Sequence, residues 1–161
     1  MNILLLKQLA IISAFAGAIM GVITVIPYVS LVSFLILLTC VSVFVLVYLK
    51  QNDLIGIISI KEGCIFGALI GFVSFLTFSI IYAPISVIIG SLISSYPQKH
   101  FIYFVTDFGT FVITIFILLF MAGISALFNA FSGLVTAYIY ELFTGIKKDN
   151  DENNSVDFTI E

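Results

Sequence analysis

The chain has 161 residues, of which 61% are hydrophobic and 9% charged, with two Cys, no Trp and a formal net charge of −3. Soluble domains carry about 25% charged residues, and a globule this small leaves roughly a third of its chain surface in water. Six Lys and nine acids cannot cover that surface. A soluble fold, a disordered chain and a disulfide scaffold are excluded. What is predicted is an all-α integral membrane protein: a four-helix transmembrane bundle, multi-pass in a cell membrane, with the lipid bilayer as its first partner.

A bilayer core about 30 Å thick takes about 20 apolar residues in a helix. The first such run covers 9–26 and stops at Pro27, which cannot continue a hydrogen-bond ladder. Lys7 precedes it and Ala14-Phe-Ala16 has cleavage-like spacing, but the apolar run continues ten residues beyond Ala16, so a retained span is expected rather than a signal peptide. The second run, 29–49, follows after only a turn at Pro27-Tyr28, so the two spans form a tight antiparallel hairpin. Residues 54–60 are too short to cross and are expected in the headgroup layer. The third span covers 62–82. Pro84 suits the first turn of a new helix, so residues 84–95 are read as a separate short helix, interfacial or re-entrant, at the outer surface. The fourth span is 107–130 with a helical extension to 143, bent or tilted because its apolar run exceeds one upright crossing. Splitting that run near Asn129 would give five spans. Residues 147–161 are polar, acidic and Asn-rich and are expected to be a disordered cytoplasmic tail. Its end, 156–161, alternates apolar and polar residues, and a docking strand there is the less favoured reading.

Charge fixes the expected orientation. Five of the nine acids follow Lys148, so the body is neutral, with Lys7, Lys50, Lys61 and Lys99 against Asp53, Glu62, Asp107 and Glu141. With four spans and both the N- and C-termini cytoplasmic, Lys7, Lys50, Lys61, Lys147 and Lys148 lie inside and only Lys99 outside, as the positive-inside rule requires. No Arg and no basic face are present, so no nucleic-acid partner is expected.

The patterned feature is small residues at four-residue spacing, a glycine-zipper pattern. Span one carries Ser13, Gly17 and Gly21, span three Gly63, Gly67 and Gly71, and span four Ala122, Ala126 and Ala130. Such spacing puts them on one helix face, where backbones can approach closely. These are the candidate helix-packing residues, within one bundle or between copies in a homo-oligomer. Span two has no Gly and is expected to face lipid most, so a Leu at Ser42 should be tolerated far better than one at Gly67.

Chemistry lacks its parts. No acid or base sits mid-span, and Asn129 is the deepest strongly polar side chain, suited to an interhelical hydrogen bond. His100 stands on the outer loop, while Cys40 and Cys64 lie apart on two spans, which does not make the three convergent ligands a zinc site needs. No catalytic, metal or cofactor residue is expected, and no motif names a family. The expected role is a non-enzymatic accessory, assembly or structural component acting through helix packing and a membrane-protein partner. The alternatives are a small oligomeric channel or transporter lined by the glycine faces, and a membrane-disrupting or immunity protein.

Overall fold

A computed structural model describes residues 3–52, 54–56, 58–93 and 108–154, which form five helices. They are α1 (Ile3–Ile23), α2 (Pro27–Thr39), α3 (Val41–Gln51), α4 (Ile60–Ile93) and α5 (Phe108–Asn154). Three of these are long and apolar enough to cross a membrane, and a fourth crossing is made if α2 and α3 count as one bent span. The fold class is therefore all-helical, with three to four candidate spans.

α4 is the central helix, packed most extensively against α5 and next against α1. On α4, Gly63 lies beside Gly133 and Ala137, whereas Gly71 lies beside Ser125 and Asn129, so α4 and α5 run antiparallel. Ser74 bonds to Ser13 and Ile81 lies beside Gly21, so α1 and α4 run parallel. Since α1 and α4 start at the same end, α2 and α3 together return the chain across the bundle. Lys7, Lys50 and Lys61 are thereby gathered at one end.

The local signals that start these helices are readable. α2 opens on Pro27 in its first turn, where a missing N–H costs nothing. α4 opens on a capping box. Ser59 donates its backbone N–H and its hydroxyl to Glu62 Oε2, each at 3.2 Å, and Glu62 N–H donates back to Ser59 Oγ at 3.3 Å. α5 runs unbroken from Phe108 to Asn154 through Asn129.

Five expectations are corrected. The span over 29–49 is not one rod: α2 and α3 meet at Cys40 with a bend of 66°. Nor is it the most exposed element, since Leu37, Val41, Ser42, Val45, Leu46 and Leu49 are buried. The most exposed is α5, whose apolar window is 11% buried against 44% for α4. The separate helix over 84–95 is not formed, because residues 84–93 continue α4 with Pro84 inside it; residues 94–95 lie outside the described residues. Proline deletes only one ladder bond, a loss that Ser and Thr hydroxyls can offset in apolar helices, and Ser86 Oγ donates to the Ala83 carbonyl at 2.8 Å. The linker is not a surface strip, since Ile55 and Ile58 fold back into the core. The tail is helical as far as Asn154, because extending an existing helix fixes one residue per bond gained. Residues 155–161 of the expected tail, with the less favoured docking strand (156–161), and Lys99 and His100 lie outside the described residues.

The core divides into two apolar layers. One gathers Leu9, Val45, Leu46, Leu49, Phe66 and Ile70 near the start of α4, and the other gathers Leu37, Phe75, Phe78 and Ala122. Phe34, Phe75, Phe78 and Tyr82 extend the second as a ladder of aromatic contacts, ending in a stacked pair with centroids 5.2 Å apart. Between the layers lies a sheet of polar side chains.

Candidate functional site: a broken helix held by a polar seam

A helix break frees backbone groups, and in an apolar interior each must find another partner. α2 and α3 break without Pro or Gly, in Ile36-Leu-Leu-Thr-Cys-Val41. Four of the freed groups are taken up by α5. Asn129 Nδ2 donates to the Leu37 and Leu38 carbonyls at 3.2 and 3.0 Å, and the N–H of Ser42 donates to Asn129 Oδ1 at 2.9 Å. One amide side chain thus caps the end of α2 and the start of α3 together. Ser132 Oγ donates to the Thr39 carbonyl, and Ser42 Oγ donates to the Asn129 carbonyl at 2.9 Å.

The seam then crosses to α4 and α1. Asn129 Nδ2 also lies 3.0 Å from the Ser125 carbonyl and 3.3 Å from its hydroxyl, while Ser125 Oγ donates to the Gly71 carbonyl at 3.2 Å. Ser74 Oγ donates to the Ser13 carbonyl at 2.8 Å, and Ser13 Oγ donates within its own helix to Leu9 at 2.6 Å. Ser13, Ser42, Ser74, Ser125 and Asn129 are all fully buried. Among the described residues, no buried side-chain donor or acceptor lacks a partner.

The glycines make the seam reachable. A Cβ at Gly67 would strike the Asn129 carbonyl, and one at Gly17 would strike the Ser74 carbonyl. A Cβ at Gly71 would sit 2.6 Å from both the Asn129 Cβ and the Ser125 carbonyl. Gly63 and Gly133 face each other across α4 and α5 with no room for a side chain on either. Gly21 is looser, with Ile81 and the Phe78 carbonyl 3.2–3.3 Å away. On α5 the sequence-derived stripe is shifted from the face that packs. Ala122 is wholly buried and the Ala130 backbone abuts Gly67, but Ala126 is half-buried and Gly123 faces open space. The packed face runs Ala122, Ser125, Asn129, Gly133 and Ala137. Spacing of four or three residues fits both stripes, and only the break in α2–α3, which Asn129 must reach, selects this one.

Ser42 is another correction. It is part of the seam, and a Leu there would enter a fully buried, hydrogen-bonded site rather than lipid. Sequence reasoning passes over Ser42, Ser74 and Ser125 because Ser is common in apolar helices and no spacing sets these three apart.

Hollows flank the bundle among the described residues. A groove of about 480 Å³ between α1 and α3 is lined by apolar side chains and Tyr48, and one of about 380 Å³ lies among Thr24, Ser30, Phe34, Phe78 and Tyr82. Among the described residues no three His, Cys, Asp or Glu side chains converge, and Cys40 and Cys64 are free thiols. No family model matches the chain, and no curated protein or solved structure is similar to it.

Proposed function

We propose that the protein is a multi-pass component of a cell membrane that acts through packing and partner contacts, as an accessory, assembly or structural subunit, without catalysis. One observation carries this reading: the carbonyls of Leu37, Leu38 and Thr39 and the N–H of Ser42 are all engaged by side chains of α5. A polar layer whose hydrogen-bonding capacity is spent on its own backbone acts as internal glue. The broad apolar exposure of α5 supports contact with lipid or with another membrane helix. In this reading α2–α3 is one bent crossing, both termini are cytoplasmic, and the lysines at the common end of α1, α3 and α4 face the cytoplasm.

A second reading draws on the same break. Carriers place discontinuous helices at mid-membrane, where freed carbonyls coordinate ions, and here Asn129 and Ser132 would have to let go for that to happen. Purified protein in liposomes separates the two. The subunit reading expects ion and small-solute flux no greater than in empty liposomes, and one stoichiometric partner after cross-linking in native membranes. Flux that scales with protein content and no stoichiometric partner would overturn it in favour of the carrier.

Topology is tested separately with reporters inserted at Gly56, at position 98 and after Glu161. Gly56 is exposed with open space around it, so an insertion there spares the core. Cytoplasmic signals from the first and third and an external signal from the second are expected; an external C-terminus would require another number of crossings.

A further inference from the structure

The groove between α1 and α3 carries an inference that rests on the membrane reading and goes beyond it. Its walls are Ile11, Phe15, Ala16 and Ile19 on α1, with Phe44 and Tyr48 on α3. Those α1 positions cover about 12 Å of helix length at 1.5 Å per residue. The volume, about 480 Å³, falls in the roughly 300–1,000 Å³ range of small-ligand sites. α3 bends away from α2 at Cys40 by 66°, and the groove lies along the bent half.

The groove is not uniform along its length. At the end where α1 begins and α3 finishes, Gln8 follows the groove face of α1 one turn before Ile12, Lys7 flanks Ile11, and Gln51 ends α3. Lys7 and Gln51 are exposed, and Tyr48 is 53% exposed. Neither α1 nor α3 contains an acidic residue. The apolar groove thus runs along α1 toward a helix end where Lys7, one turn before Ile11 on the same exposed stripe, supplies a cation and Gln8 and Gln51 supply hydrogen-bond donors. That is the pattern of an anionic phospholipid, with an apolar chain below and a negative phosphate above, held near the interface by a basic side chain. Interfaces between membrane helices are enriched in small residues, whereas the walls here are bulky except at Ala16.

We infer that this groove is a lipid site: an acyl chain of one anionic phospholipid lies between α1 and α3, with its phosphate at Lys7. The occupant is a resident molecule of the cytoplasmic leaflet, and it fills the space that the bend at Cys40 opens beside α1.

The full-length protein, reconstituted in vesicles of equal phosphatidylglycerol and phosphatidylcholine and then released in mild detergent, is read by native mass spectrometry. One retained phospholipid per chain is expected, with phosphatidylglycerol enriched about fivefold over phosphatidylcholine, the ratio that one interfacial Lys supplies. Lys7→Gln should keep the retained lipid and bring the ratio to about one. Ala16→Phe should fill the slot and abolish retention of both lipids. Lys7 is exposed, so Lys7→Gln decides the matter even where Ala16→Phe does not fold. Retention that follows bulk composition in the wild type, or an enrichment unchanged by Lys7→Gln, overturns the lipid site and leaves the membrane reading intact. A chain that stays in the aqueous fraction without detergent overturns the membrane reading itself.

Discussion

Gly67→Leu is expected to abolish the folded bundle. A Cβ at Gly67 meets the Asn129 carbonyl and lies 3.0 and 3.1 Å from the Asn129 carbonyl carbon and the Ala130 Cα. Every atom in its way is main chain, so no rotamer change can relieve the clash. Overpacking a core costs about 1–3 kcal/mol when neighbours can shift. Here α4 and α5 must separate, and the contacts at Gly63, Gly71 and Gly133 separate with them. A loss of at least about 3 kcal/mol is therefore expected, at the top of that range. The informative comparison is Gly123→Leu on α5, because Gly123 has no other atoms within 4 Å of its Cβ position. Replacing a mid-helix Gly gains about 0.5–1 kcal/mol of backbone entropy, so this variant should match or exceed the parent. Retention of a monodisperse peak in size-exclusion chromatography after graded heating reports both. Equal survival of the two variants would mean that α4 and α5 do not pack backbone to backbone.

Asn129→Leu tests the seam at nearly constant volume. It strands the Leu37 and Leu38 carbonyls and the Ser42 N–H, each of which bonds to the Asn129 side chain. In a soluble core each stranded group would cost about 1–3 kcal/mol. Within bilayers the measured figure is about 0.6 kcal/mol per interaction, because the separated helices also find partners, so a total of about 2 kcal/mol is expected. The shape should change as well. With nothing to hold the break open, α2 and α3 can close their own ladder and straighten. Segments of 13 and 11 residues bent by 66° span about 30 Å end to end at 1.5 Å per residue, against about 36 Å when straight. Spin labels at Tyr28 and Gln51, with Cys40 and Cys64 replaced by Ala, should show that lengthening of roughly 6 Å. An unchanged distance together with unchanged heat resistance would show that the bend does not depend on Asn129.

The charge-poor composition and the long apolar runs at 9–26, 62–82 and 107–143 lead directly to long helices, because an apolar stretch must close its hydrogen bonds within itself. The hairpin turn at Pro27 and the small residues on α1 and α4 were equally legible, since proline and missing side chains act on their immediate surroundings. The break at Cys40 was not legible. Ile36–Val41 holds no helix breaker, and the two half-helices are stabilised by an amide 87 to 92 residues further along the chain. Pro84 misled in the opposite direction: a residue that often opens a helix was accommodated inside one.

The amino-acid sequence by itself determined that this chain builds apolar helices, and where most of them turn. Tertiary structure alone decided which face of α5 packs, that Ser42 and Asn129 meet, and that α2 and α3 meet at a bend. The physical reason is range. Hydropathy, proline and glycine act through the nearest turn of backbone, whereas a freed carbonyl is satisfied by whichever donor the packed bundle brings within 3 Å. That donor is Asn129, and its partner is set by the close approach of helices that glycine permits.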